Sequence, residues 1–114
     1  MSDRETLELF LGLKFFEEPG FIGLKRCEVV DGRRYIIRCV AVVCELNYDR
    51  CYVLVTHEAP SHGIDIPFKV LSTRSIEGER ARSVRDRIKE ISRLSVDNAS
   101  IEFNALLREV LENS

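Results

Sequence analysis

The sequence predicts an α+β fold in which an N-terminal helix precedes an antiparallel meander of three to four strands and two C-terminal helices. Three observations predict this order. Apolar residues recur at helical spacing at both ends of the 114-residue chain, the middle is rich in β-branched and aromatic residues, and Gly, Pro, Asn and Asp separate the segments. Because there is no linker or repeat, we expect residues 1–114 to form a single domain.

The first predicted helix covers residues 3–18. It begins on acidic residues, which suit the positive end of a helix dipole. Leu11 and Phe15 lie one helical turn apart and would share an apolar face. The pair Pro19-Gly20 ends the segment.

The meander follows, with strands predicted at residues 22–30, 34–45 and 51–56 and a short edge strand at 68–71. Asp31-Gly32 is typical of a two-residue hairpin turn, and this turn places Lys25 opposite Arg38. Residues 35–44 are apolar at both parities, which indicates cover on both faces of the sheet. Since the predicted helices are few, we expect a subunit interface to supply part of that cover.

Two helices end the predicted fold. The first lies around residues 74–93, where the apolar seam at helical spacing is Ala81, Val84, Ile88 and Ile91. The second covers residues 99–111 and is also amphipathic.

Charge and composition narrow the class of protein. The chain has 17 basic and 19 acidic residues, and its net charge of −2 excludes a globally basic nucleic-acid binder. Arginine outnumbers lysine 13 to 4 and glutamine is absent, which is typical of thermophile proteins. No phosphate-binding glycine loop or nucleophile elbow occurs, so the sequence gives no reason to name an enzyme or a cofactor.

No segment has the apolar length of a membrane span, and the acidic N-terminus does not resemble a secretory signal. We therefore expect a cytoplasmic protein without membrane partners. Its cysteines, Cys27, Cys39, Cys44 and Cys51, are then expected to be mostly free thiols packed in strands, unless the source is a hyperthermophile.

These observations favour a small cytosolic, non-catalytic binding module that acts through self-association or within a protein complex. The apolar strand, for which the chain offers limited helical cover, carries this hypothesis. A homo-oligomer or a protein partner is the expected assembly.

The first alternative is a nucleic-acid-associated protein, because residues 74–93 hold seven basic and four acidic residues. The candidate phosphate contacts are Lys25, Arg34 and Arg38 on the hairpin and Arg82, Arg85, Lys89 and Arg93 on the helix. The predicted α-β-β-β-α order resembles that of double-stranded RNA-binding domains, which implies RNA as the ligand. The segment Ser75–Arg80 lacks the lysines that such domains carry at the start of the last helix.

The second alternative is a small metal-dependent hydrolase centred on the loop of His57, His62 and Asp65. Imidazoles and carboxylates at a strand end are ligands for Zn, Mn or Fe. The pair Thr56-His57 is similar to a late motif of calcineurin-like metallophosphoesterases, in which the histidine binds metal. The earlier motifs of those enzymes do not occur in this chain.

Overall fold

The computed structural model describes residues 11–31, 33, 36–61 and 64–112. Its elements are β1 (Gly12–Glu18), β2 (Phe21–Asp31), β3 (Ile36–Glu45), β4 (Arg50–Ser61), β5 (Ile64–Glu77), α1 (Glu79–Ile91) and α2 (Val96–Glu112). The five strands form one antiparallel sheet in the order β1-β2-β3-β4-β5, so every strand pairs with its neighbours in sequence. The two C-terminal helices follow the sheet.

The predicted N-terminal helix is wrong, because residues 12–18 form strand β1; residues 3–10 of that prediction lie outside the described residues. Leu13 and Phe15 stand opposite Arg26 and Leu24 of β2 on one face of the sheet. Leu11, Leu13 and Phe15 alternate as in a strand, whereas Leu11 and Phe15 are also one helical turn apart, and pairing with β2 decides between the two. Gly20, at φ 90°, allows the turn into β2.

The predicted number of strands is also wrong, because β1 makes the sheet five-stranded. In addition, β4 and β5 are far longer than the predicted segments 51–56 and 68–71. They pair from Arg50 opposite Glu77 to Ser61 opposite Ile64. Two register shifts, between Val55 and Thr56 and between His57 and Glu58, accommodate the irregular pattern within this hairpin. Because β5 is an edge strand, a proline within it costs no central ladder bond. The resemblance to the element order of double-stranded RNA-binding domains does not hold for this five-stranded fold.

The register of β2 and β3 differs from the expected one. Asp31 pairs with Ile36, and a bulge lies between Val29 and Asp31. As a result, Lys25 lies opposite Ala41 rather than Arg38. The expected opposition of like charges is therefore wrong: Arg38 stands opposite Glu28. A register shift by an odd number of residues moves side chains to the other face of a sheet, so burial of the apolar positions specifies the register more strongly than an Asp-Gly pair.

The main core lies between the two helices and one face of the sheet, which we call the covered face. It contains Leu24, Val42 and Cys44 from the sheet and Phe103 and Leu106 from α2. The predicted seam of α1 is confirmed, since all four of its residues are buried in this core.

We call the other side of the sheet the open face. Alternation along the strands places Phe16, Lys25, Cys39, Val43 and Tyr52 there. Among the described residues, no helix contributes a buried side chain to this face. Strand β3 is nevertheless buried on both sides, as its apolar pattern predicts.

Candidate functional site

The basic residues predicted on the hairpin do not share a face. Lys25 lies on the open face, whereas Arg38 lies on the covered side, where its guanidinium is 3.9 Å from the carboxylate of Glu28. Arg34 lies outside the described residues. The hairpin therefore does not bring Lys25 and Arg38 together as a phosphate site.

Two of the predicted basic residues of α1 hold the turn between β3 and β4. Arg82 and Arg85 donate to the two carboxylate oxygens of Asp49, at 2.7 and 3.2 Å. Arg85 also donates to the backbone carbonyl oxygens of Glu45 and Tyr48. The hydrogen bond from Arg82, helped by Arg85, holds the pKa of the Asp49 carboxyl below its usual value, although desolvation opposes this. We call Asp49, Arg82 and Arg85 the turn clasp.

The remaining basic residues of that strip are Lys89 and Arg93. Both are exposed, but Arg93 lies beyond the end of α1, in the turn that leads to α2. The four residues therefore do not form one continuous helical strip. Their binding to phosphate stays a prediction.

The histidine loop of the metal hypothesis is described only in part. His57 belongs to β4, opposite Arg38, and its side chain lies on the covered side of the sheet. His62 and the side chain of Asp65 lie outside the described residues. The metal role of these three residues stays a prediction, and the structure does not place them together.

A different cluster, on the open face, combines charge with burial. Glu58 is 3% exposed, and it is the one buried charged residue of the described chain. Lys25 reaches across β3 and places its Nζ 2.6 Å from Glu58 Oε1, while the hydroxyl of Thr56 donates to Glu58 Oε2 at 2.8 Å. Both carboxylate oxygens are therefore paired, which offsets the cost of burying the charge.

The disulfide Cys27–Cys39 lies beside this carboxylate on the same face, in a small core of its own with Ile37. The second disulfide, Cys44–Cys51, lies on the covered face within the main core. The expectation of mostly free thiols is not met, whereas burial of the cysteines in strands is.

Sequence reasoning missed both disulfides and the role of Glu58. Symmetry about the turn could have found one of the disulfides, because Cys44 and Cys51 lie at equal distances from the centre of the β3–β4 connection. Cys27 and Cys39 lack this symmetry, since a register shift separates them from their turn. Glu58 gives no such signal, since it is 33 residues from Lys25.

The open face also carries an apolar row between two charged ends. The row consists of the half-buried Phe16, Val43 and Tyr52, and the ring of Phe16 lies against Gly23, where a Cβ would be 2.3 Å from the Phe16 ring. One step along the strands toward one side, the charged residues are Glu18, Glu45, Arg50 and Glu77, with Phe21 between them. One step toward the other side, the charged residues are Lys14 and Lys25, followed by Ala41 and Leu54. The face thus has an acidic end and a basic end.

An apolar groove of about 140 Å³ lies at the β1 edge of the covered face. Phe15 from the strand, Leu94 from the helix connection and Val96 at the start of α2 line it, and Val96 is 78% exposed. It offers apolar contact, but its lining contains no charged residue that would orient a ligand.

Comparison with known proteins adds no relative: no family model matches the chain, and no curated protein and no solved structure is significantly similar to it. No helix of the described chain is long and apolar enough to cross a membrane.

Proposed function

We propose that the protein is a non-catalytic self-association module that pairs with a second copy of itself through the open face of its sheet. The observation that carries this proposal is the apolar row of Phe16, Val43 and Tyr52, on which no helix of the described chain packs. An antiparallel sheet with one solvated face normally presents polar side chains there. Two such faces pack well at the spacing of a β-sandwich.

The charges on the open face support a second copy as the partner. A two-fold axis that lies between the two open faces, parallel to the apolar row, places the acidic end of one copy against the basic end of the other. Lys14 of each copy then meets Glu18 of the partner copy. Both residues are exposed and lie on β1, two positions on either side of Phe16. Two copies of the open face can therefore pack with their apolar rows in contact and their opposite charges paired.

The two alternative functions have weaker support in the described residues. Arg82 and Arg85 are engaged with Asp49, so they are less available to phosphates. Of the three candidate metal ligands, the structure describes the side chain of His57 alone, which lies on the covered side of the sheet opposite Arg38.

A charge exchange on β1 tests the proposed interface. We expect the wild-type chain to sediment as a dimer at micromolar concentration. Lys14→Glu places glutamate opposite Glu18 in both halves of the interface and weakens dimerisation by about tenfold. The double variant K14E/E18K restores opposite charges and recovers the dimer. The two positions are too far apart along β1 for a contact within one chain, so recovery reports on a second copy.

Val96→Glu is the matched control, because it places a charge in the apolar groove and leaves the open face intact. We expect this variant to remain a dimer. A monomeric wild-type chain, or a dimer that V96E dissociates and K14E does not, contradicts the proposal. In the latter case the groove is the interface.

A further inference from the structure

The open face brings together three atoms that bind metals. The sulfur atoms of Cys27 and Cys39 and a carboxylate oxygen of Glu58 all lie within 4.8 Å of one another, and all three residues are buried. In the structure the sulfurs are joined as a disulfide, and a disulfide does not supply thiolate ligands. The oxidation state of this pair therefore decides whether the cluster can bind a cation.

We propose that reduction of Cys27–Cys39 opens a binding site for a single zinc-like divalent cation, with the two thiolates and the Glu58 carboxylate as ligands. Thiolate and carboxylate ligands together suit Zn²⁺, which takes three protein ligands and a water in its open sites. Tetrahedral Zn–S bonds of about 2.3 Å separate the sulfurs by about 3.8 Å, which is close to the contact distance of two unbonded sulfurs. Cysteines directly opposed on β2 and β3 satisfy this separation without a change of register.

Charge balance gives the cluster its preference for one divalent cation. Two thiolates and one carboxylate carry three negative charges, and a divalent cation leaves one. The Nζ of Lys25, which is 2.6 Å from Glu58, neutralises that remaining charge. The Lys25 side chain is 28% exposed, so its ammonium group can shift to make room for the ion while it stays close to the carboxylate.

The site forms in two steps, reduction of the disulfide and then binding of the cation. A dithiol or a phosphine supplies two electrons, the S–S bond breaks, and two protons from water or from the dithiol complete the Cys27 and Cys39 thiols. The reductant becomes a disulfide or a phosphine oxide. The cation then displaces both thiol protons, which are released to solvent.

The second disulfide provides an internal comparison. Cys44 and Cys51 are fully buried in the main core, and Cys51 Sγ lies 3.2 Å from the carbonyl oxygen of Ala81. No histidine or carboxylate of the described chain joins these two sulfurs in a group of three ligands. Reduction of this pair is expected to yield two thiols without a complete site.

Cobalt titration of the full chain tests the proposal. Co²⁺ is added without oxygen to protein in the oxidised form and to protein reduced with a phosphine that is then removed. We expect one Co²⁺ per reduced chain, with the near-ultraviolet absorption of thiolate-bound cobalt, and displacement by Zn²⁺. The oxidised chain is expected to show neither.

Three variants separate this site from general thiol binding. C27S/C39S loses the absorption, C44A/C51A retains it, and Glu58→Gln keeps it but binds Co²⁺ about tenfold more weakly or worse. Binding by oxidised protein, binding by C27S/C39S, or undiminished affinity in E58Q overturns the proposal.

Circular dichroism reports whether the reduced chains remain folded. If reduction unfolds the wild-type chain, recovery of the folded spectrum on adding Zn²⁺ supports the site, and the lack of recovery overturns it. If C44A/C51A does not fold, the comparison of wild type with E58Q still decides, because that substitution leaves all four cysteines in place.

Discussion

The two disulfides join neighbouring strands in the same manner but lie in opposite surroundings. Cys44–Cys51 packs among apolar side chains under both helices. Cys27–Cys39 lies on the open face beside the buried ion pair of Lys25 and Glu58. The covered face is therefore stabilised mainly by apolar packing. The open face also depends on an ion pair and a hydrogen bond to a buried carboxylate.

The largest expected effect comes from replacing each disulfide with a pair of serines. Loss of either cross-link lowers the free energy of unfolding by about 2–4 kcal/mol. In C44S/C51S the new hydroxyl groups are buried in the apolar core, which increases this loss of stability by about 2 kcal/mol. In C27S/C39S the carboxylate of Glu58 is near enough to accept a hydrogen bond. Urea unfolding of both variants measures the difference, and equal losses would contradict the contrast between the two faces.

A smaller effect is expected from removing the Lys25 ammonium group, which pairs with Glu58 on the open face. Lys25→Met leaves the buried carboxylate of Glu58 with Thr56 as its one remaining partner among the described residues and lowers the free energy of unfolding by about 2 kcal/mol. The double variant K25M/E58Q, which removes the charge as well, recovers most of this loss. Lys89→Met, at an exposed position of α1 away from the proposed interface, is the control. A stability of K25M equal to that of K89M would show that the ion pair contributes nothing.

The smallest effect concerns the turn clasp, which fastens α1 to the β3–β4 connection beside Cys44–Cys51. The pKa of Asp49 is lower in the folded chain than its ordinary value, mainly because Arg82 donates a hydrogen bond to the carboxylate. The clasp therefore adds stability above the ordinary pKa of an aspartate, and this contribution is lost as the pH falls through the folded value. Asp49→Asn is expected to be less stable than wild type at neutral pH and to lose that disadvantage in acid. Urea unfolding over a pH series checks this, and a difference that stays constant with pH would argue against the clasp.

The sequence predicted the helices that have one dominant period. Ala81, Val84, Ile88 and Ile91 recur at helical spacing, no strand pattern competes with it, and all four are buried. It failed for residues 12–18, where apolar residues suit both periods and the choice depends on pairing with a strand that lies later in the chain. Secondary structure was thus predictable where the apolar residues follow one period, and it was not where pairing with a later strand decides between two periods.

The candidate sites were predictable to a smaller extent, because they depend on register. Lys25 was singled out for its charge, but its partner, Glu58, comes from a strand two positions away in the sheet. A shift in the β2–β3 register moved Arg38 to the other side and brought Cys27 opposite Cys39. Neither outcome follows from spacing along the chain, since burial of the apolar positions over the whole sheet sets the alignment.

The sequential order of the strands has a consequence for how the chain folds. Because each strand pairs with the next one in sequence, the sheet can grow hairpin by hairpin with short loop closures. Proteins dominated by local contacts fold faster than those that join distant segments. The disulfides span separations of 12 and 7 residues, and each lies within a single hairpin. Strand β3 belongs to both of these hairpins, so we expect it to act as the template on which the rest of the sheet assembles.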